Sequence, residues 1–509
     1  MLLTRQLLNY NNGPFFHFLR RTKVTFSSST PQIAIIGSGP SGLYVCSRLL
    51  QQFKNCFIDI FDKAQAPFGL IYYGLMLVGI IGRVRGKLSF PSGSNTSSDI
   101  LTVAPDHYDM KKSMTGFEKM FAENREKLQL FCNVDANKDI TFEELCSTYD
   151  AVVLAYGANK PRRLGLENEF GGNNCFSGGE FVSWYNGMSQ SNIKNIPKLD
   201  TGTNAVVIGN GNVAIDCSRI LLSSPERLEQ TDITESSLNA LRKSKIKNVY
   251  IIGRRGPKEI SFTIKELREL LTLEGVHSHC SINSNLGEEL KLELSQMERP
   301  RRRLVELMLN FADEETRPSS SKKNLKLIFN SRPTLIELNK RRDCIEAIHI
   351  QNNLNNNVEV IPCSLLIIAI GFENILLNGL PQNENGQLKM IDWCRVYNEN
   401  ALVYATGWCS HAARGLIADS QQQAYSVADQ IYEDLNKINP TKFSSKETSA
   451  RTQIEQKLHS RGVEYINWDD WKYIDECERR MGAILGKTRE KMTEISSILR
   501  IMRNKNIKN

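Results

Sequence analysis

Two glycine-rich loops, each placed directly after a short apolar run, constrain this chain more than any other feature. The first is Gly37-Ser38-Gly39-Pro40-Ser41-Gly42, after Ile33-Ala34-Ile35-Ile36. The second is Gly209-Asn210-Gly211-Asn212-Val213-Ala214, after Ala205-Val206-Val207-Ile208. An unbroken apolar run of this length reads as a strand buried on both faces. In such a loop the first glycine allows a tight turn and the second lets backbone approach a pyrophosphate. The third lets the next helix pack on the strand, and alanine is an allowed variant there, as at Ala214. The pattern predicts an α/β fold with two Rossmann-like dinucleotide-binding domains. A chain that holds two dinucleotides side by side can pass electrons between them.

The two loops lead into strands that end in opposite charge. After the first, the strand pattern Cys56 to Phe61 ends in Asp62, close to the ~20-residue spacing of a ribose-binding carboxylate. After the second, the strand pattern Val249 to Ile252 ends instead in Gly253-Arg254-Arg255-Gly256-Pro257. Two guanidinium groups there suit a 2′-phosphate, which predicts NADPH rather than NADH. Asn212 and Asp216 open the helix after the second loop and can orient the nicotinamide end.

Length and composition set outer bounds. The chain has 509 residues, enough for two or three domains, and its 41% apolar and 24% charged content is that of a globular protein. The longest apolar stretch, Leu75 to Ile81, is too short to span a bilayer. Residues 1–30 carry Arg5, Arg20, Arg21, Lys23 and a serine run, and no acid appears before Asp59. That composition predicts a mitochondrial presequence. The 12 cysteines are scattered without a C-x-x-C, which argues against a redox dithiol and against iron–sulfur ligation. Cys409 and His411 are too few to bind a metal, and none is expected.

Further motifs carry a family resemblance. They are Pro67-Phe68-Gly69-Leu70, Val103-Ala104-Pro105-Asp106-His107, Trp184-Tyr185-Asn186-Gly187, the Gly209 to Asp216 run, Gly253 to Pro257, Phe262 to Glu269, and Gly407-Trp408. In this order they resemble the mitochondrial adrenodoxin reductase family of NADPH:ferredoxin oxidoreductases, from Pro31 to the C-terminus. The resemblance implies an FAD domain built from both chain ends, residues 31–157 and 373–509. An NADP domain, 158–372, would be inserted in it. It implies FAD contacts from Gly37, Gly39, Ser41, Gly42, Asp62, Leu70, Ala136, Trp408, Gly415, Leu416 and Ile417. It implies NADP contacts from Asn210, Gly211, Asn212, Val213, Arg254, Arg255, Glu266 and Gly415. His107 and Asp216 would lie near the flavin–nicotinamide contact as the catalytic pair.

The same resemblance implies an acidic [2Fe-2S] ferredoxin as partner, docked through Arg268, Arg299 and Arg303. By charge pattern alone, Arg299-Pro300-Arg301-Arg302-Arg303 reads as a solvated helix face. No aromatic residues are interleaved there, so nucleic acid is not expected. The implied location is the mitochondrial matrix, with no transmembrane segment and room for peripheral contact with the inner membrane. The implied electron use is by P450s or by iron–sulfur cluster and haem synthesis.

The chain departs from the pattern in places. Leu75 to Thr102 intervene where the family runs directly from Gly74 to Val103, as a surface loop or as translated intervening sequence. Tyr72 stands where the family usually has arginine, and Cys409 to Arg414 replace a lysine- and threonine-bearing stretch. An inactive flavoprotein-like isoform is one alternative. An electron-input subunit of a glutamate-synthase-like complex is another, though it would need an iron–sulfur segment or partner. The final stretch, with Trp468-Asp469-Asp470-Trp471, reads as helical decoration.

Overall fold

The computed structural model describes residues 30–73, 114–158, 160–170, 174–188, 196–312, 322–399, 401–410, 417–437 and 449–508. The apolar run after Pro31 forms the strand Gln32–Ile36, buried along its whole length at the centre of a five-stranded sheet. The strand order is Leu402–Ala405, Ala151–Leu154, Gln32–Ile36, Phe57–Asp62 and Leu128–Cys132, all parallel. A parallel sheet is covered on both faces, so its strands need apolar side chains on both sides rather than alternation. The chain leaves this sheet after Leu154 and returns to it only at Leu402.

The excursion builds a second parallel sheet. Its order is Cys175–Ser177, Leu365–Ile368, Asn204–Ile208, Asn248–Ile252, Lys323–Ile328 and Val276–Ser281. The outgoing and returning segments pair with each other as a short antiparallel ribbon, Lys160–Pro161 with Phe372–Glu373. A Lys160–Glu373 ion pair of 2.7 Å lies on the ribbon.

The segment Ile345 to Ile350 does not join this parallel sheet. It is instead the middle strand of a separate antiparallel sheet, Ser331–Leu338, Ile345–Asn352 and Val358–Pro362. Ile336, Ile348, Ile350 and Ile361 face inward from it. They pack on Ile208, Ile252, Ile328 and Ile368, sealing one face of the second sheet.

A long helix spans Ile417–Lys437. It packs on the glycine-loop helix Pro40–Gln52, where Arg48 reaches Asp429 at 2.8 Å.

The C-terminal stretch is not decoration. Cys132 N–H donates to Ile466 O at 3.0 Å, so the segment extends the hydrogen bonding of the first sheet. Trp468 stacks on Phe121 with centroids 4.3 Å apart, and Trp471 is met edge-on by Tyr72 at 5.0 Å. Trp471 is 1% exposed and belongs to the core that contains Ile33, Ile35 and Leu43. The charged residues around the tryptophans made the segment look like surface, but their indoles supply a wall of the first core. Replacing Trp471 with Ala is therefore expected to destabilise the first unit by about 3–5 kcal/mol, the usual cost of truncating a buried large aromatic. Urea unfolding of the two proteins measures it, and a loss near zero would return the segment to the periphery.

Candidate active site

The first glycine loop folds as its residue types require. Gly37 has φ +111°, and a Cβ there would lie 2.4 Å from Ala155 O, so no other residue fits. A Cβ on Gly39 would meet nothing within 4 Å, which leaves open space in front of the loop. Gly39 also caps the helix Pro40–Gln52 without any side-chain hydrogen bond. The first-turn N–H groups and the positive helix end therefore remain available to an anion.

Some of the other residues named for FAD lie on segments that neighbour this loop. Ser41 lies opposite Gly407, whose Cβ position is 2.3 Å from Ser41 Oγ. Thr406 Oγ1, beside Gly407, is buried and without a hydrogen-bond partner. Ala136 is buried on the loop after Leu128–Cys132, and Val134 N–H of that loop donates to Asp62 O at 2.9 Å. Gly69 abuts the loop, with a Cβ position 3.1 Å from Gly39 Cα, and Leu70 comes next in the turn Leu70–Tyr73.

Asp62 is less free than its spacing suggests. Its Oδ2 accepts from Ser38 N (2.7 Å) and Ser38 Oγ (2.6 Å), and its Oδ1 accepts from Ala64 N (2.9 Å). A carboxylate has about four acceptor positions, so one remains for a ribose hydroxyl. Trp408 is 8% exposed and packs into the core of the second unit. Next to it, Cys409 donates to Leu154 O at 2.9 Å, and burial pushes its thiol up to about 12. A thiol held neutral in this way is no redox nucleophile.

The second loop repeats the geometry with different chemistry. Gly209 has φ +133° and a Cβ position 2.2 Å from Ala369 O, while Gly211 faces open space. The helix Asn212–Leu222 starts at Gly211 without a side-chain cap. Asn212 is fully buried; its Oδ1 accepts from Thr263 N at 2.9 Å, and its Nδ2 has no partner. The side chain of Asn210 lies against Gly253, and its buried Nδ2 is also unpartnered. Unused buried donors at a positive helix end fit a phosphate-bearing ligand.

Arg254 and Arg255 extend this site. Both are exposed, and neither side chain pairs with another described residue. Their backbone is fixed by Asn353 Nδ2 to Arg254 O (2.8 Å) and Asn330 N to Arg255 O (3.1 Å). Val213, in the helix's first turn, contacts Gly178 at the start of Gly178–Tyr185.

Asp216 and Glu266 sit in a buried charged cluster. Both are fully buried around Arg219, which is 0% exposed. Arg219 reaches Asp216 at 2.7 Å and Glu266 at 3.3 Å, with Glu269 at 4.0 Å. Any ligand contact from these carboxylates would be shared with the guanidinium. Sequence reasoning missed Arg219; the signal was its position three residues after Asp216 on one helix face. His107, Gly415 and Leu416 lie outside the described residues, as do the presequence and Leu75 to Thr102. Ile417 opens the helix Ile417–Lys437.

The arginines named for docking lie on two helices that pack together. Arg268 lies on Ile264–Leu271, which packs on the helix Arg299–Leu309 bearing Arg299 and Arg303. All three are exposed and unpaired among the described residues. Arg301 of the same run is instead structural, donating to Ile260 O at 2.6 Å.

Residues 31–428 match the family model for pyridine nucleotide-disulphide oxidoreductases. The mitochondrial NADPH:adrenodoxin oxidoreductase of Drosophila melanogaster is 31% identical over 93% of this chain and 94% of its own length. The Bos taurus protein of the same name is 32% identical over 93% and 92%.

The chain belongs to the NADPH:adrenodoxin oxidoreductase family.

Mycobacterium tuberculosis FprA in complex with NADPH has the same fold, with a TM-score of 0.79 at 26% identity, covering 93% of this chain and 99% of that one. As a member of the family this chain is an oxidoreductase, and its cofactors are FAD and NADP(H). The open, uncapped loops at Gly39 and Gly211 fit those two groups.

Within the adrenodoxin oxidoreductase fold the Arg219 cluster is a stability element. Removing one partner of a buried ion pair leaves an uncompensated charge, typically at a cost of about 3–5 kcal/mol. Arg219→Met should show a loss of that size in chemical denaturation, and an unchanged midpoint would mean the cluster is not ionised.

Proposed function

We propose that this chain is a mitochondrial reductase that carries electrons from NADPH through FAD to an acidic [2Fe-2S] ferredoxin. The supporting observation is the pair Arg254 and Arg255, exposed and unpaired beside an open glycine loop with unused buried donors. FAD, when bound, accepts two electrons as hydride and gives them up singly, which suits an iron–sulfur acceptor. The chain's residues bind, orient and exclude water.

In this reading the helix ends at Gly39 and Gly211 hold the two pyrophosphates. Asp62 takes a ribose hydroxyl of FAD on its remaining acceptor position. Asn210, Asn212 and Val213 hold NADP near its pyrophosphate, and the two arginines hold the 2′-phosphate. Asp216 and Glu266 act through Arg219, fixing the helix that presents Asn212. His107, Gly415, Leu416 and Ile417 keep the roles that the family motifs give them, near the flavin. Ser41, Leu70, Ala136 and Trp408 would line the FAD site.

Arg268, Arg299 and Arg303 steer the acidic carrier by long-range attraction. No helix among the described residues is long and apolar enough to cross a membrane. The matrix, with supply to P450s or to cluster and haem synthesis, is the setting this reading carries.

The test adds an acidic [2Fe-2S] ferredoxin and cytochrome c to the purified protein and tracks NADPH-dependent cytochrome reduction. Reduction that depends on the ferredoxin is expected, and none would overturn the proposal. Replacing Arg254 and Arg255 with Ala should weaken NADPH binding by about 1.5–3 kcal/mol per lost charged hydrogen bond and leave NADH nearly unchanged. Equal losses for both nucleotides would refute the assignment of the 2′-phosphate.

A further inference from the structure

Three cations that alternate along the extended segment after the helix Trp468–Ile484 are all buried. Lys487 is 6% exposed, Arg489 6% and Lys491 3%. Buried charges of this density need an explanation, because each must find partners or lose its proton. Their partners belong to different parts of the molecule.

Arg489 stays with the first unit. It pairs with Glu478 at 2.9 Å and with Asp475 on the preceding helix, and it donates to Tyr72 OH at 3.3 Å. Tyr72 OH itself donates to Glu478, and the Tyr72 ring lies under both Arg489 and Lys491, with cations 5.2 and 5.1 Å from its centroid. Lys487 pairs with Glu490 of its own segment and also reaches the second unit. It donates to Ile233 O at 2.9 Å and pairs with Glu235 at 3.6 Å.

Lys491 joins the two. Its ammonium donates to Tyr72 O at 3.2 Å and to Asn186 O at 2.9 Å, and it pairs with Asp232 at 3.2 Å. An ammonium has three protons, and these oxygens match that number. Tyr72 sits in the turn that begins at Gly69, which abuts Gly39 of the first glycine loop. Phe68 N–H, one residue before Gly69, donates to Ser38 O at 3.0 Å, so the turn is held to that loop. Asn186 caps the helix Gly178–Tyr185, whose first residue touches Val213 of the second loop. One buried side chain therefore ties together the supports of both dinucleotide loops.

We propose that Lys491 is a positioning residue for electron transfer between the two nucleotides: it fixes the separation of the two glycine loops through Tyr72 O, Asn186 O and Asp232. This rests on the NADPH-to-FAD reading above. The covalent ribbon Lys160–Pro161 with Phe372–Glu373 ties the units elsewhere, so loss of Lys491 loosens their relative placement without separating them. Each loop keeps its own ligand contacts, and binding and transfer become separable.

The experiment compares the full-length FAD-loaded protein with Lys491→Met and with the milder Asp232→Asn. FAD content, NADP+ affinity, hydrogen exchange over residues 184–188 and 231–235, and anaerobic stopped-flow bleaching of the flavin by NADPH are measured on each.

In Lys491→Met, FAD content and NADP+ affinity should stay within about twofold while bleaching slows about ten- to a hundredfold, the scale of an ångström-sized misplacement. Exchange should quicken at both segments. Asp232→Asn should move the same quantities in the same direction by less, and it serves if Lys491→Met does not fold. Bleaching at the wild-type rate in the folded variants would overturn the proposal. So would losses of FAD content, NADP+ affinity and rate in parallel, since that is the pattern of general unfolding. A wild-type protein that NADPH never bleaches would overturn the functional reading itself, whereas normal wild-type bleaching with unaffected variants overturns only the role of Lys491.

Discussion

An ammonium group with no access to water must give all three of its protons to protein oxygens, and the oxygens of Lys491 come from both nucleotide-binding units. Lys487 and Glu490, on the same segment, add further contacts to the second unit at Ile233 and Glu235. The connecting ribbon is short, and its ion pair is half-exposed, at 51% and 46% for the two side chains, so solvent weakens it. The Lys491 contacts are shielded, and losing one would leave a buried charge unmatched. Arg489 steadies the same point from the other side, because it holds Tyr72 between a cation and the wall formed by Trp471.

The two glycine loops are near copies in backbone and opposites in charge. Each places a left-handed glycine at the strand end, packed on a carbonyl, then a glycine facing open space, then an uncapped helix. Beyond that point the first presents a carboxylate, Asp62, and the second presents two guanidinium groups. Duplication of the backbone motif makes two dinucleotides fit one chain. The difference in charge separates a ligand with a free ribose from one with a phosphorylated ribose. Cys409, the thiol beside Trp408, is held protonated by burial and offers no thiolate there.

Those loops were legible in the sequence because only glycine satisfies their backbone, and the preceding apolar runs admit only a strand buried on both faces. Arg254 and Arg255 were legible because a strand end leaves charged side chains at its tip. The antiparallel sheet over Ser331–Leu338, Ile345–Asn352 and Val358–Pro362 was half hidden, since its outer strand carries exposed Val358 and Val360 amid asparagines. The C-terminal segment was misread for a physical reason. Lys487, Arg489 and Lys491 have the composition of a solvated tail, and only the tertiary fold brings Tyr72, Asn186 and Asp232 to meet them. The pairing of Asp216 and Glu266 with Arg219 was hidden, because it forms only once the two helices are packed.

The central claim is that this single chain moves electrons from NADPH to its own flavin. The most direct measurement adds an equimolar amount of NADPH, without oxygen, to the purified FAD-containing protein and records its visible spectrum. The account predicts that the yellow flavin absorbance is lost. A spectrum that stays unchanged with NADPH, yet bleaches with dithionite, would contradict it.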